Sequence, residues 1–226
     1  MSRVAGIVKT HLTDLWSWAM MPWLILGISF TVNVIIGASV GDKIETGGLS
    51  SIYVYMLVLG VGSVGQTFPF LIGFGARRKD YFLGTTATIA LIGAGSVILL
   101  LILGYVERQT GYWGIELHFF NISYVTDGPL IQKFWVLFSM MLHFFFVGFA
   151  ISSIYRKFGR DGLFFFFIAF GVAITFAVYL LSVFDRLRAV FDWFVDLTVL
   201  GLANGLFLLT LVYVGLSYLL LRKASF

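Results

Sequence analysis

Six long stretches without Asp, Glu, Lys or Arg constrain the fold of this chain more than any other feature. They are residues 15–41, 46–76, 81–106, 134–155, 162–184 and 197–221. An α-helix rises about 1.5 Å per residue, so about 20 residues cross a bilayer and each stretch can cross once. The pattern predicts an all-α integral membrane protein with six spans, near 18–40, 52–74, 82–104, 134–155, 163–184 and 199–221.

The composition excludes a soluble fold, because 60% of the residues are hydrophobic and only 12% are charged. A soluble domain carries about 25% charged residues. Barrel strands are excluded as well, since runs such as Leu99–Leu103 and Phe164–Phe167 do not alternate in polarity. The spans and their connections use up the chain, so we predict a single membrane domain over residues 1–226.

The short connections carry an uneven distribution of positive charge. On one side of the predicted membrane they hold ten cations: Arg3, Lys9, Arg77, Arg78, Lys79, Arg156, Lys157, Arg160, Arg222 and Lys223. On the other side they hold five: Lys43, Arg108, Lys133, Arg186 and Arg188. Because Lys and Arg accumulate in cytoplasmic loops, we predict that the ten-cation side and both termini are cytoplasmic. Topology then explains the net charge of +4 without nucleic-acid binding.

The segment before the first span has the pattern of an amphipathic helix. Side chains of one stripe recur at three- and four-residue spacing: Val4, Ile7, Val8, His11, Leu12 and Leu15. Arg3, Lys9 and Asp14 fall off this stripe. Residues 1–17 are therefore predicted to form a helix in the cytoplasmic membrane interface, and the alternative is a frayed terminus.

Two connections on the outer side are more than simple turns. Residues 105–133 are too short for a domain, and they either cap the mouth of a transport pathway or simply join two spans. Residues 185–196 place an apolar stripe opposite Asp and Arg side chains, and Arg188 has the three- and four-residue spacings to Asp185 and Asp192 that allow pairing on a helix. They predict a short amphipathic element, at the outer interface or re-entrant, before the sixth span.

Few strongly polar side chains lie within the predicted spans, and none of them is Asp, Glu, Lys or Arg. That absence weakens the case for a proton pump, an ion-driven transporter or a voltage sensor, all of which place charge inside the membrane. The candidates for a translocation path are Asn33, Gln66, His143 and Asn204. Such side chains also form hydrogen bonds that hold membrane helices together, so both roles stay open.

Two motifs match enzyme signatures without the structural context that those signatures need. Gly60, Gly62 and Gly65 have the spacing of a dinucleotide-binding loop, but they lie inside a helical span. Residues 37–41 match the GxSxG nucleophile elbow without a strand before them, and tight helix packing explains both glycine sets. An intramembrane serine hydrolase using Ser39 or Ser63 with His143 is the remaining enzymatic alternative. No lysine follows a glycine, so a P-loop is missing.

The chain resembles the membrane subunit of ATP-binding cassette exporters, the ABC type-2 permease family. The resemblance rests on six predicted spans with cytoplasmic ends, the amphipathic N-terminal segment and the amphipathic element before the last span. The most similar stretch is FPFLIGFGARRKDYFLGT, residues 68–85, where a span ends in glycines and an Arg-rich turn precedes an aromatic residue and Leu-Gly-Thr.

In that family the connection between the second and third spans forms a coupling helix that docks on the ATPase, and the resemblance implies this role for Ala76–Phe82. The contact residues expected here are Gly75, Ala76, Arg77, Arg78, Lys79, Asp80, Tyr81 and Phe82. The cations suit acidic groups on a soluble partner, and Tyr81 and Phe82 suit anchors at the lipid boundary. The second cytoplasmic connection matches the family's second contact by position only and adds Arg156, Lys157, Arg160 and Asp161.

The resemblance also implies a second permease copy or a homologous permease around a central path, in the cytoplasmic membrane of a bacterium. ATP and Mg²⁺ would bind to the separate ATPase subunit, so this chain would hold no cofactor or metal and would catalyse no reaction. The expected function is export of a substrate, driven by that ATPase. The alternative is a six-helix structural or channel-like membrane protein without an ATPase.

Overall fold

A computed structural model describes residues 3–40, 42–122 and 128–222. Nearly all of these residues are helical, which confirms the all-α prediction. The helices are α1 Arg3–Thr13, α2 Met21–Val40, α3 Ser50–Gly62, α4 Phe68–Gly73, α5 Arg78–Gln109, α6 Leu130–Val183, α7 Leu187–Val195 and α8 Val199–Arg222. Two π-helical turns, Trp16–Met20 and Ser63–Thr67, lead into α2 and α4.

The only extended pairing among the described residues joins two connections at one end of the bundle. β1, Ile44–Glu45, pairs in parallel with β2, Leu117–His118. A short 3₁₀ turn, Tyr112–Gly114, precedes β2. The connection after α2 is thereby tied to the connection after α5.

Five helical segments of the described chain are long and apolar enough to cross a membrane. They are Trp16–Val40, Ser50–Gly73, Arg78–Gln109, Leu130–Val183 and Val199–Arg222. Their length and composition support the multi-pass membrane character predicted from the sequence. The fourth segment, α6, has 54 residues and covers both the fourth and the fifth predicted spans.

The backbone of α6 changes direction at Gly159. This residue has φ 72° and ψ −170°, a conformation that glycine adopts without steric cost. Val147 and Phe170, on either side of it, line one cavity. A straight helix would separate them by about 35 Å, so the segment of residues 160–183 bends back toward the segment of residues 130–158.

The core lies where α3, α5 and the first segment of α6 meet. Its most deeply buried side chains include Ile52, Met56, Ile89, Val97, Met141 and Phe145. A Cβ on Gly60 would lie 2.0 Å from the carbonyl oxygen of Phe145, and a Cβ on Gly148 would lie 2.0 Å from that of Leu57. The backbones of α3 and α6 therefore touch, which confirms the helix-packing interpretation of Gly60.

The second segment of α6 and the short helix α7 are far less covered. Large apolar side chains there face outward, and Phe165 and Phe191 are 67% and 68% exposed. α7 is the short helix predicted before the last span, and its Arg188 Nε lies 3.9 Å from Asp192 Oδ2. The predicted helical pairing of Asp185 with Arg188 is wrong, because Asp185 precedes the helix with φ 52°.

The helix predicted near the N-terminus is present as α1, but its stripe faces protein. Ile7 and His11 are 4% and 1% exposed, and they pack on the start of α5. Gly84 permits this contact, since a Cβ there would lie 2.6 Å from the Ile7 side chain. His11 Nε2 lies 3.0 Å from Thr85 Oγ1. The buried part of the stripe thus contacts α5 rather than lipid, while Leu12 remains exposed.

Candidate functional site

Four cation-bearing parts of the chain meet at one end of the helix bundle, which we call the cationic end. They are α1, the corner of residues 74–82, the turn around Gly159 and the end of α8. The described cations in these parts are Arg3, Lys9, Arg77, Arg78, Lys79, Arg156, Lys157, Arg160 and Arg222. Lys223 lies outside the described residues.

Direct contacts hold these parts together. Arg78 Nη1 donates a hydrogen bond of 2.8 Å to the carbonyl oxygen of Arg222, which joins the corner to the last helix. The guanidinium of Arg156 lies 5.9 Å from the ring centre of Phe68, at the start of α4. The sequence places these groups far apart along the chain, and only the fold brings them to one surface.

The corner itself is a tight turn between α4 and α5. Gly75 has φ 84°, and its N–H bonds the carbonyl of Ile72 at 2.9 Å, which closes α4. Arg77 is extended, with φ −77° and ψ 141°, and α5 begins at Arg78. The residues to which the resemblance assigns the coupling role, Ala76–Phe82, do not form a helix of their own, because Ala76 and Arg77 lie in the turn and Arg78 to Phe82 begin α5.

Two aromatic side chains of the corner, those of Tyr81 and Phe82, point into the protein, whereas that of Phe74 is exposed. Tyr81 is fully buried and donates a hydrogen bond of 2.6 Å to the carbonyl oxygen of Ser63. Phe82 is 7% exposed and packs against Phe149 and Tyr218, with ring centres 6.0 and 5.1 Å away. The prediction that Tyr81 and Phe82 anchor the corner at the lipid boundary is wrong, because both rings are used to fix it to neighbouring helices.

The charges of the corner have different surroundings. Arg77 and Lys79 are exposed, whereas Arg78 and Asp80 are partly buried. Asp80 lies in the first turn of α5, where a negative charge stabilises the helix. Within the described ranges neither Arg77 nor Lys79 has an ion-pair partner. These two cations are therefore available to a soluble partner or to lipid phosphates.

Of the residues predicted to form the second ATPase contact, only some lie near the corner. Arg156 approaches Phe68, which packs edge-on against Tyr81 with 5.0 Å between ring centres. Lys157 instead lies over the ring of Phe158 and lines an apolar cavity. Arg160 and Asp161 are exposed at the turn that follows.

Two of the candidate path residues bridge helices. His143 Nδ1 lies 3.1 Å from the hydroxyl of Thr210, and Trp135 Nε1 donates a hydrogen bond of 2.7 Å to Asn204 Oδ1. Both bonds join the first segment of α6 to α8. Hydrogen bonds of this kind hold membrane helices together, each contributing about 0.6 kcal/mol.

The other two path candidates lie elsewhere. Asn33 Nδ2 donates to the carbonyl oxygen of Ser29 on its own helix, at 2.8 Å. Gln66 is exposed and lines a polar cavity of about 310 Å³ at the cationic end, together with Thr10, His11, Asp14, Trp18, Thr67 and Phe70. Of three described cavities, of about 940, 620 and 310 Å³, only the smallest is lined by one of the four candidates.

His11 lines that polar cavity and has a shifted pKa. Burial lowers its pKa to about 4, although the neighbouring carboxylate of Asp14 acts in the opposite direction. At neutral pH the imidazole is therefore uncharged, and it meets the hydroxyl of Thr85 as a neutral ring. The contact between α1 and α5 depends on this neutral form.

The residues of the hydrolase alternative are not arranged as a catalytic pair. The hydroxyl of Ser39 donates to the carbonyl of Ile35, and that of Ser63 donates to the carbonyl of Leu59, each at 2.8 Å. Neither serine hydrogen-bonds His143 among the described residues. The final glycine of the GxSxG match, Gly41, lies outside those residues.

Sequence reasoning missed Glu107, which organises the opposite end of the bundle. Its carboxylate is fully buried at the end of α5. It accepts hydrogen bonds from the backbone N–H groups of Phe119, Phe120 and Asn121, at 3.2, 2.8 and 3.0 Å. The Trp113 indole N–H and the Asn121 amide add two more, at 3.2 and 3.1 Å. Residues 110–122 thus form an ordered cap, and we call this region the Glu107 end.

The described chain is helical, and five of its helical segments could cross a membrane, which is compatible with a multi-pass membrane protein. No protein-family model, curated protein or solved structure matches this chain.

Proposed function

We propose that this chain is the membrane subunit of an ABC exporter in the cytoplasmic membrane of a bacterium, coupled to a separate ATPase. The observation that carries the proposal is the convergence of four cation-bearing parts at one end, with Arg77 and Lys79 exposed beside a tight turn. A docking surface for a soluble, acidic partner needs such accessible cations on a rigid support. The sequence resemblance supplies the identity of that partner.

The proposal includes six crossings with both termini in the cytoplasm. The bend at Gly159 divides α6 into segments of residues 130–158 and 160–183, and each is long enough to cross about 30 Å of hydrocarbon. Short turns at Gly75 and Gly159 would then lie on the cytoplasmic side. The excess of Lys and Arg at these turns supports this orientation.

In this proposal the corner passes motion of the ATPase to the spans. Arg77 and Lys79 contact the partner, while buried groups link the corner to its neighbours. Tyr81 is bonded to Ser63 before α4, and Arg78 is bonded to Arg222 at the end of α8. A displacement of the corner would therefore shift several helices together, without any covalent chemistry in this chain.

We further propose that two permease chains, identical or homologous, enclose the substrate path. The apolar side chains of residues 160–183 are exposed in the single chain. On a membrane helix such side chains contact either lipid or another helix, so this surface is compatible with a second permease chain. A path between two chains would not require the four polar candidates to share a cavity within one chain.

A structural or channel-like membrane protein is the second candidate function. The bonds from His143 to Thr210 and from Trp135 to Asn204 favour it, because they use the polar groups of the spans to join helices. This candidate requires no ATPase, so the partner decides between the two functions.

The test is affinity purification of the tagged chain from its native membrane, followed by identification of the proteins that accompany it. The proposal predicts an ATPase with a GxxxxGK[ST] loop, whose ATP hydrolysis changes when the permease is present. The orientation of the chain is checked separately with an impermeant maleimide, which labels accessible cysteines. Because the chain has no cysteine of its own, only an introduced cysteine can react. Thr13→Cys should be protected in intact cells and Gly47→Cys labelled. A correctly oriented chain that purifies without a nucleotide-binding partner would favour the second function.

A further inference from the structure

One large cavity of the described structure lies between the two segments of α6 and the last helix. Its volume is about 940 Å³, at the upper end of the range for small-molecule sites. Most of its lining is apolar, and the side chains that matter most here are Ala150, Ile151, Phe166, Phe170, Leu216 and Leu220. A cavity of this size and polarity suits hydrocarbon chains.

Two cations, Lys157 and Arg222, line the same cavity, and both belong to the cationic end. Lys157 Nζ lies 4.8 Å from the ring centre of Phe158, and Arg222 is exposed. None of the described residues that line the cavity is Asp or Glu. The cavity is therefore apolar along its length and positive where α6 bends and α8 ends.

In the proposed orientation the bend of α6 and the end of α8 lie at the membrane surface, which places these two charges there. Gly159 follows Lys157 by two residues and turns the chain back, while Arg222 ends α8. Long cationic side chains at such positions keep their charge at the interface and their carbon stems against apolar surface. A bound amphiphile would thus place its headgroup at the interface and its chains between the helices.

We propose that this cavity binds an anionic phospholipid, with its phosphate between Lys157 and Arg222 and an acyl chain along Phe166 and Leu216. The cytoplasmic leaflet is rich in anionic lipid, and basic pockets between membrane helices recognise such headgroups. Charge complementarity distinguishes this occupant from a neutral lipid, which would use the apolar lining alone. The inference requires no ATPase and goes beyond the proposed transport function.

Lipid binding would also act on the corner. The carbonyl of Arg222 accepts the hydrogen bond from Arg78, so a phosphate that orders Arg222 also orders the partner of Arg78. The lipid would therefore stabilise the surface on which the ATPase is proposed to dock. This assigns Lys157 to lipid rather than to the ATPase.

The experiment is native mass spectrometry of the intact chain, released from mild detergent and titrated with dioleoyl phosphatidylglycerol or dioleoyl phosphatidylcholine. One phosphatidylglycerol per chain should bind more tightly than phosphatidylcholine. Lys157→Gln and Arg222→Gln should each weaken phosphatidylglycerol binding about fivefold, since a cation near a membrane surface contributes about 1 kcal/mol. Phosphatidylcholine binding should not change.

Matched variants separate this site from general lipid contact. Ala150→Phe fills the cavity without changing its charge and should remove the bound lipid, whereas Val172→Phe, on the outward surface, should not. Lys9→Gln removes a cation of the same end that does not line the cavity and should leave binding unchanged. Equal affinity for the two lipids, or equal effects of the Ala150 and Val172 variants, would overturn the proposal. A dimer that Ala150→Phe dissociates, with lipid binding unaffected, would assign the cavity to a second copy instead.

Discussion

The two ends of the bundle use charge in opposite ways. At the Glu107 end one carboxylate is fully buried and accepts five hydrogen bonds, all of them from residues of the cap that it stabilises. At the cationic end Arg77 and Lys79 stand exposed beside a tight turn, while the aromatic residues behind them are buried. The first arrangement closes a surface, and the second leaves charge available for contact.

This difference shows how function can be separated from folding in a chain with few charges. A buried, fully bonded charge such as Glu107 fixes the local fold, and its removal should lower stability. An exposed charge without a partner contributes little to stability, so its presence points to topology or to binding. Substitutions at the two ends test this separation.

Glu107→Gln should be the most destabilising change. Glutamine keeps the shape but removes the negative charge, and its NH₂ group opposes the buried backbone N–H donors. Breaking a buried charge network costs about 3–5 kcal/mol. The measurement is the free energy of unfolding in mild detergent, with Glu116→Gln as the control, because Glu116 lies on the same connection but is exposed. Equal stability of the two variants would show that the cap does not depend on Glu107.

Gly60→Ala should lower the free energy of unfolding by about 3 kcal/mol. The new Cβ would lie 2.0 Å from the carbonyl oxygen of Phe145 and would push α3 away from α6. Gly62→Ala is the matched control, since nothing lies within 4 Å of a Cβ there. Unfolding free energies of the two variants in the same detergent provide the comparison. If Gly60→Ala is tolerated as well as Gly62→Ala, the two helices do not touch as described.

Acidification should loosen the cationic end through His11. Its pKa is about 4 when folded and about 6.5 when unfolded, so the unfolded state binds more protons between these values. The stabilisation that neutral His11 gives the folded state is present above pH 6.5. As the pH falls toward 4, the free energy of unfolding decreases by up to about 3 kcal/mol. His11→Gln should remove this part of the pH dependence while keeping a bond to Thr85. A variant with an unchanged pH profile would exclude His11 as its source.

Lys43 at the Glu107 end should give the smallest effect. Its Nζ lies 2.8 Å from Glu45 Oε1, and this hydrogen bond raises the pKa of Lys43. The pair is exposed to solvent, and exposed ion pairs commonly contribute nothing measurable. Lys43→Gln should therefore leave the melting temperature unchanged in low and high salt. A clear loss of stability would mean that exposed charges at this end also fix the fold.

The sequence predicts the helices well because their signals are local. Uncharged apolar stretches, the spacing of the first helix and the pattern around residues 187–195 each follow from neighbouring residues. The bend of α6 is consistent with Gly159 and nearby charges, although helical structure continues on both sides of it.

The site could be predicted only in part, because its decisive contacts are long-range. The bond from Arg78 to the Arg222 carbonyl joins residues 144 positions apart, and no spacing rule reveals it. Tyr81 and Phe82 are aromatic residues beside a cationic turn, a pattern that also fits a lipid anchor, and only the packing of Phe149 and Tyr218 shows their burial. Glu107 carries no motif, since its partners are three backbone N–H groups and the Trp113 and Asn121 side chains of the connection that follows α5.

Charge reversal at the two ends of the bundle tests whether the exposed cations of the corner contact the proposed ATPase. The measurement is the amount of ATPase that co-purifies per permease chain, with membrane orientation verified by cysteine labelling. Arg77→Glu/Lys79→Glu should lower that amount about tenfold or more, while Arg186→Glu/Arg188→Glu, away from the cationic end, should leave it unchanged. Undiminished co-purification with the corner reversed would contradict the account.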